Sequence, residues 1–351
     1  MENSDRLVSV SDYENNARRI LPKFALDYYT SGAGDELSLA LNKSAFSNFR
    51  IRPRFLRDVS HRDMSTTVLG CKVTMPLGIA PTAMQKLAHP EGEMANARAA
   101  GKAGTVFILS TISTSSIEEV AKAAPDTHKW FQLYIYKDRQ VTIDLVKRAE
   151  QCGFKALVLT VDAPVFGIRH RDMRNKFKLP PHLTMANFRG LKATKINESQ
   201  DGSSLNSYVN SLFDQSLTWE DLGWLKSITS LPIVLKGILT AEDALLGLEA
   251  GASAILVSNH GARQVDLVPA GIEALPEIVQ AVGGRCDVYL DGGITKGTDI
   301  FIALALGAKM VFMGRPALWG LAYDGENGVR NILELLRREF DVTMCLTGSR
   351  T

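Results

Sequence analysis

From residue 76 onward, apolar residues in this chain follow two alternating rhythms. Short runs rich in Val, Ile and Leu predict strands over 76–80, 105–109, 130–135, 156–161, 232–235, 254–257, 287–290 and 309–313. Between them, apolar positions recurring every three to four residues predict helices over 91–103, 116–123, 139–151, 241–249, 271–282 and 297–306. Thr240 with Asp243 three residues on has the form of a helix start, and Gly153, Gly251 and Gly307 sit where helices should end. Continuously apolar strands separated by helices are the signature of a parallel sheet covered on both faces. Eight such units predict an α/β fold, a closed (β/α)8 TIM barrel. A doubly wound sheet is the competing architecture, but no G-x-G-x-x-G turn follows any strand.

Two regions fall outside this repeat. Residues 1–75 read as an N-terminal helical extension packed on the barrel of 76–351. Ser11 is placed to cap a helix through Ile20, Pro22 breaks it, and a second helix should end near Ser31-Gly32. Residues 189–216, after the fourth strand, are rich in Ser, Asn, Lys and Gly and have little period, so they read as a lid over the site or a disordered insertion.

Composition narrows the partners. The 351 residues are 45% hydrophobic and 22% charged, which suits a globular chain. The 40 basic and 38 acidic residues are scattered and nearly cancel, so neither nucleic acid nor a membrane surface is an expected partner. Cys71, Cys152, Cys286 and Cys345 lie far apart, with no metal-ligand spacing, and read as reduced thiols of an intracellular protein. No metal is expected, and the chemistry should involve small molecules.

Barrel enzymes carry that chemistry on the loops after the strands. The sixth run ends in Ser258-Asn259-His260-Gly261-Ala262-Arg263, which puts a candidate base three residues from a candidate anion clamp. Asp162, at the end of the fourth run, can orient the His260 ring and favour its protonated form. Arg169 offers a second guanidinium beside Arg263, and Tyr28 and Tyr134 add hydroxyls for binding a carboxylate. Lys236 ends another apolar run, where an ammonium can stabilise a developing anion or form a Schiff base. Gly292-Gly293 and Gly314-Arg315, after the last two strands, have the composition of a phosphate site.

As a set, Asp27-Tyr28-Tyr29, Ala80-Pro81-Thr82-Ala83, Gln132-Leu133-Tyr134, Thr160-Val161-Asp162, Leu235-Lys236-Gly237, Ser258-Asn259-His260-Gly261 and Asp291-Gly292-Gly293 resemble the FMN-dependent (S)-2-hydroxy-acid oxidases, the glycolate oxidase group. The likeness runs from about Tyr13 to the last residue. It implies a TIM barrel and FMN as cofactor. His260 would act as base, paired with Asp162, while hydride passes to flavin N5, and Arg169, Arg263, Tyr28 and Tyr134 would hold the substrate. Lys236 would face the N1/C2=O edge of the flavin, and Ser110, Gln132, Thr160 and Ser258 would bond its ring. Pro81, Thr82 and Ala83 would lie against it, with Asp291, Gly292, Gly293, Gly314 and Arg315 at the ribityl phosphate end. O2 would take the electrons and leave hydrogen peroxide. The resemblance also implies a peroxisomal homotetramer.

Three departures accompany the likeness. Ile112 stands where glycolate-preferring members carry tryptophan, which should open the pocket to medium- or long-chain or aromatic 2-hydroxy acids. Thr295 stands where the family usually has arginine, weakening FMN retention unless Lys296 substitutes. The final Gly348-Ser349-Arg350-Thr351 is not a peroxisomal tripeptide, which leaves the cytoplasm as the other expected location. Two rival readings stay open: a flavin dehydrogenase with a non-oxygen acceptor, and a non-redox barrel lyase or isomerase acting on a phosphorylated substrate.

Overall fold

A computed structural model describes residues 7–175, 177–188 and 211–351. Eight parallel strands close into one barrel: β3 (Leu77–Ile79), β4 (Val106–Leu109), β5 (His128–Leu133), β6 (Leu157–Thr160), β7 (Ile233–Ile238), β8 (Ala254–Val257), β9 (Asp287–Asp291) and β10 (Met310–Met313), with β10 pairing back onto β3. All eight predicted strands are present and in barrel order. A short antiparallel hairpin, β1 (Thr66–Val68) and β2 (Cys71–Val73), precedes them and has no counterpart in the sequence-based expectation.

Outside the barrel stand α1 (Val10–Ile20), α2 (Lys23–Thr30), α3 (Leu37–Ser44), α4 (Gly92–Lys102), α5 (Ile117–Ala123), α6 (Arg139–Gln151), α7 (His170–Arg174), α8 (Glu220–Ile228), α9 (Ala241–Glu249), α10 (Gly271–Val282), α11 (Gly297–Ala305) and α12 (Arg315–Thr347). The cap of α1 is Ser9, not Ser11: its hydroxyl accepts from Asp12 N at 3.2 Å while Asp12 Oδ2 accepts from Ser9 N at 2.9 Å. Ser11 lies inside the first turn, where its hydroxyl cannot satisfy the free N–H groups. Most of the lid or insertion read at 189–216 lies outside the described residues. Its described end is anchored, since Phe213 is buried and bridges to Tyr136.

Strand period positions the site. In a barrel, alternate residues point inward. Val106, Ile108, Trp130, Val158, Val234, Leu256, Tyr289 and Phe312 form an interior cluster, and Val68, Leu69 and Val73 of the hairpin pack against it. The opposite residues, such as Phe107, Phe131, Leu157 and Leu235, join the larger core beneath the helices. Gly78 leaves room for Phe312, whose ring would lie 2.7 Å from a Cβ at that position. One period further along, the inward positions become polar: Gln132 follows Trp130, Thr160 follows Val158, Lys236 follows Val234, Ser258 follows Leu256 and Asp291 follows Tyr289. The barrel is therefore filled with apolar side chains below and lined with polar ones at its C-terminal rim.

Helix α12 has a break at Asp324 and Gly325, which leave helical geometry. Gly320 and Gly328 pack together across the bend, and a Cβ on Gly328 would stand 1.9 Å from Gly320 O. Backbone cannot yield there as a flexible side chain could. Gly328→Ala is expected to cost about 2 kcal/mol or more, read as a lower denaturant midpoint with unchanged slope in urea unfolding.

Candidate active site

The polar rim opens into a cavity of about 400 Å³, within the span of small-molecule sites. Its wall is built by strand ends and by the N-terminal helices. Of the residues singled out from the sequence as catalytic, substrate-binding or cofactor-binding, all but Asp162 and Ser258 lie on it. Asp162 stands behind His260, with Oδ1 2.8 Å from Nδ1. Ser258 lies beneath the rim, accepting from Lys236 Nζ at 2.9 Å and from His260 N at 3.0 Å. The structure thus makes Ser258 a support for two site residues. The β8 period points Ser258 into the barrel, one period beyond Leu256.

His260 rests on a strained loop. His260, Gly261 and Ala262 have φ of 58, 63 and 60°, a left-handed run costing roughly 1–2 kcal/mol for each residue with a Cβ. Asn259 holds it: its Oδ1 accepts from Ala262 N at 3.1 Å and from Asn42 Nδ2 at 3.0 Å, and its Nδ2 donates to Asn42 Oδ1 at 2.8 Å and Pro269 O at 3.1 Å. Gln264 ties this loop to the next one, donating to Asp162 O at 2.9 Å and Val165 O at 2.8 Å and accepting from Gly167 N at 3.1 Å. Sequence reasoning gave no role to Asn42 or Gln264, because a bonded amide and a solvated one look alike in sequence.

Lys236 is buried between Ser258 and Asp291, whose Oδ2 lies 3.4 Å from its Nζ. It reaches the rim because Gly237 forms a β-bulge between β7 and β8. Gly237 has φ +110°, and a Cβ there would meet Asp162 at 2.5 Å, so no other residue fits this turn. Gln132 and Thr160 are joined through Nε2 and Oγ1 at 3.0 Å, and the Gln132 Oε1 accepts from Thr111 N at 3.1 Å and lies 3.4 Å from the Ser110 hydroxyl.

The arginines differ in what remains for a ligand. Arg169 is partly engaged: Nε donates to Arg263 O at 3.1 Å, Nη2 reaches Gln264 at 3.4 Å, and Nη1 faces Asp172 at 3.7 Å, too far for a hydrogen bond. Arg315 gives three of its five N–H groups to the carbonyls of Tyr29 at 2.8 Å, Ser31 at 3.0 Å and Gly261 at 3.1 Å. Arg263 makes its carbonyl bonds, to Tyr28 at 2.7 Å and Ser31 at 2.9 Å, through Nη1. Its Nε and Nη2 edge is therefore the one available to an anion, with the Tyr28 ring 4.9 Å from its guanidinium carbon. Burial and the other guanidiniums push Arg169 down to about 10 and Arg315 to about 9, so both keep their charge at neutral pH.

Ile112 lies on the cavity wall, as do Tyr134 and Phe166, which belong to an aromatic group that the sequence did not disclose. Phe213 lies tilted against Tyr134 at 4.5 Å between centroids and meets Phe166 edge-on at 5.4 Å. At the far end, Gly292 and Gly293 have φ of 92 and 80°, and Asn42 O would lie 1.9 Å from a Cβ on Gly293. Thr295 is also on the wall, but its hydroxyl and amide are bound to Asp299. Lys296, read as a substitute for the missing arginine, is not on the wall, because its backbone caps α11 instead.

Fold and cavity together define a barrel protein with a charged small-molecule site at its C-terminal rim. Comparison with known proteins gives the family. The model for FMN-dependent dehydrogenases matches residues 17–351. The chain is 57% identical over 345 residues to glycolate oxidase 3 of Arabidopsis thaliana, covering 98% of this chain and 93% of the relative. It is 55% identical over 345 residues to glycolate oxidase of Spinacia oleracea, with the same coverage. A crystal structure of mandelate oxidase with (S)-4-hydroxymandelic acid superposes with a TM-score of 0.94 at 44% identity, covering 98% of this chain and 96% of that one. The chain belongs to the FMN-dependent dehydrogenase family, and FMN is its cofactor. The resemblance drawn from the sequence motifs holds, and the non-redox lyase reading is set aside. The cavity fits FMN: it offers a buried ammonium, the orphaned Asp291 Oδ1 and positive-φ glycines at one end.

Burial holds the His260 imidazole below its usual value, with Lys236 adding to the effect and Asp162 opposing it. Burial alone would raise Asp162, but His260 and Lys236 keep it below the usual carboxylate range. His260 is thus neutral at pH 7 and able to accept a proton. A base is lost as it protonates, so kcat/KM should fall on the acid side with a midpoint below 6.5, measured from a pH profile of the holoenzyme. Asp162→Asn should cut kcat by roughly a hundredfold or more, since Asp162 both orients the ring and stabilises its charged form.

Proposed function

We propose that this enzyme oxidises (S)-2-hydroxy acids to 2-oxo acids, with O2 as the final acceptor, so that one 2-hydroxy acid and one O2 yield one 2-oxo acid and one hydrogen peroxide. The observation that carries this reading is the convergence on one cavity of His260, backed by Asp162, with the open edge of Arg263.

The Arg263 edge takes the substrate carboxylate as a bidentate pair, and the hydroxyls of Tyr28 and Tyr134 complete its bonds. Both tyrosines are buried, and burial raises their pKa, so they remain donors at all working pH values. Arg169, on the same wall, adds a second guanidinium to hold the substrate. With the acid held there, His260 accepts a proton from the substrate through Nε2, since Nδ1 is engaged by Asp162. Asp162 balances the resulting imidazolium. FMN, when bound, supplies the acceptor for the two electrons released as the 2-oxo acid forms. Lys236 keeps a positive charge under the rim, where negative charge gathers during that transfer. Ser110, Gln132 and Thr160 would bond the cofactor's ring, with Pro81, Thr82 and Ala83 against it.

Substrate preference is set by Ile112 with Phe166 and Tyr134, an apolar wall lacking an indole N–H. Such a wall favours medium- or long-chain or aromatic side chains over glycolate. A mandelate oxidase, which shares this fold at 44% identity, has been solved with an aromatic hydroxy acid bound.

The purified protein should be yellow and should bleach anaerobically on addition of a 2-hydroxy acid. A protein that stays yellow with every acid in a chain-length and aromatic series overturns the reading. Peroxide formed per substrate consumed separates an oxidase from a dehydrogenase that uses another acceptor. In steady-state assays, Ile112→Trp should shift kcat/KM toward glycolate. Arg263→Lys should raise KM by roughly tenfold or more, because an ammonium cannot replace the planar fork.

A further inference from the structure

The glycine-turn end of the cavity carries two cations that the sequence reading gave no work. Arg315 gives three of its five N–H groups to carbonyls, Thr295 is uncharged and bound to Asp299, and Lys296 is off the wall. Arg18 of α1 and Lys43 of α3 are on the wall, in company with Gly292, Gly293 and Thr295. Both depend on one carboxylate: Glu14 takes Arg18 Nη2 at 2.6 Å and Lys43 Nζ at 3.0 Å. Burial pushes Glu14 up, but these two cations outweigh it and hold it below the usual range, so the trio carries one surplus positive charge.

The placement of Lys43 is fixed by its neighbour. Asn42 packs its carbonyl directly on Gly293, where a Cβ would stand 1.9 Å from it, so the end of α3 is docked on the turn. The Lys43 side chain is 56% exposed and can reorient about its flexible stem. A phosphate monoester carries nearly two negative charges at neutral pH. The positive-φ amides of Gly292 and Gly293 can bond such a group but cannot neutralise it.

We propose that Lys43 is a phosphate ligand of this enzyme, exchanging Glu14 for the FMN phosphate and leaving Glu14 to Arg18. This rests on the proposed FMN enzyme having its phosphate at the glycine turns, as the sequence motifs imply.

Riboflavin differs from FMN by the phosphate alone, so apoprotein titrated with each, followed by quenching of flavin fluorescence, isolates that group. Lys43→Gln should weaken FMN roughly five- to tenfold while riboflavin stays within about twofold. Lys43→Arg should keep most of the FMN affinity. Glu14→Gln should act in the opposite direction, tightening FMN severalfold with riboflavin unchanged. An unaltered FMN-to-riboflavin ratio in Lys43→Gln, an equal loss of both ligands, or weaker FMN binding in Glu14→Gln overturns the proposal. No substrate enters this titration, so its outcome is independent of whether a 2-hydroxy acid bleaches the holoenzyme.

Discussion

Barrel closure is the constraint on which the rest of this protein depends. Once eight strands pair in a ring, every second side chain must point inward, and the register between neighbours fixes which residues share a level. The lower levels are filled by Trp130, Tyr289, Phe312 and aliphatic residues. The upper level is Gln132, Thr160, Lys236, Ser258 and Asp291. A one-residue slip in any strand would exchange an interior polar group for a core residue of the outer face. The apolar lower half thus sets the register that aligns the polar upper half.

Several charges converge on that rim, and their burial shapes the chemistry. His260 is kept neutral by burial and by Lys236, yet Asp162 stands ready to balance the charge gained on protonation. Arg169 and Arg315 give part of their donors to carbonyls and an amide, cross-linking α2, the His260 loop and the loop after β6. Those bonds hold the guanidiniums rigid without neutralising most of their charge, so the cavity stays positive and selects anions. The left-handed stretch at His260 is strain that the Asn42 and Asn259 pair offsets.

The fold was legible because strand and helix rhythms differ, and strand continuity identified a sheet covered on both faces. The β1–β2 hairpin was missed because three-residue strands carry no usable period. Kinked α12 escaped notice for a related reason, since glycines at 320, 325 and 328 interrupt its apolar pattern. His260, Arg263, Lys236 and the glycine turns stood out because residues at strand ends have a predictable location in a barrel. Phe213 did not, lying at the end of a polar stretch whose approach to Tyr134 is a matter of tertiary packing.

By itself, the sequence determined the number and order of the βα units, the polar residue closing each strand, and the family to which these motifs belong. Periodicity and spacing are local properties, readable from the order of residues along the chain. Tertiary structure alone decided which arginine edge remains open, that Ser258 supports Lys236 and His260 from below, and that Lys43 and not Lys296 borders the glycine turns. Each of those depends on which partner a polar group meets across the fold, and hydrogen-bond partners distant along the chain leave no periodic trace in it.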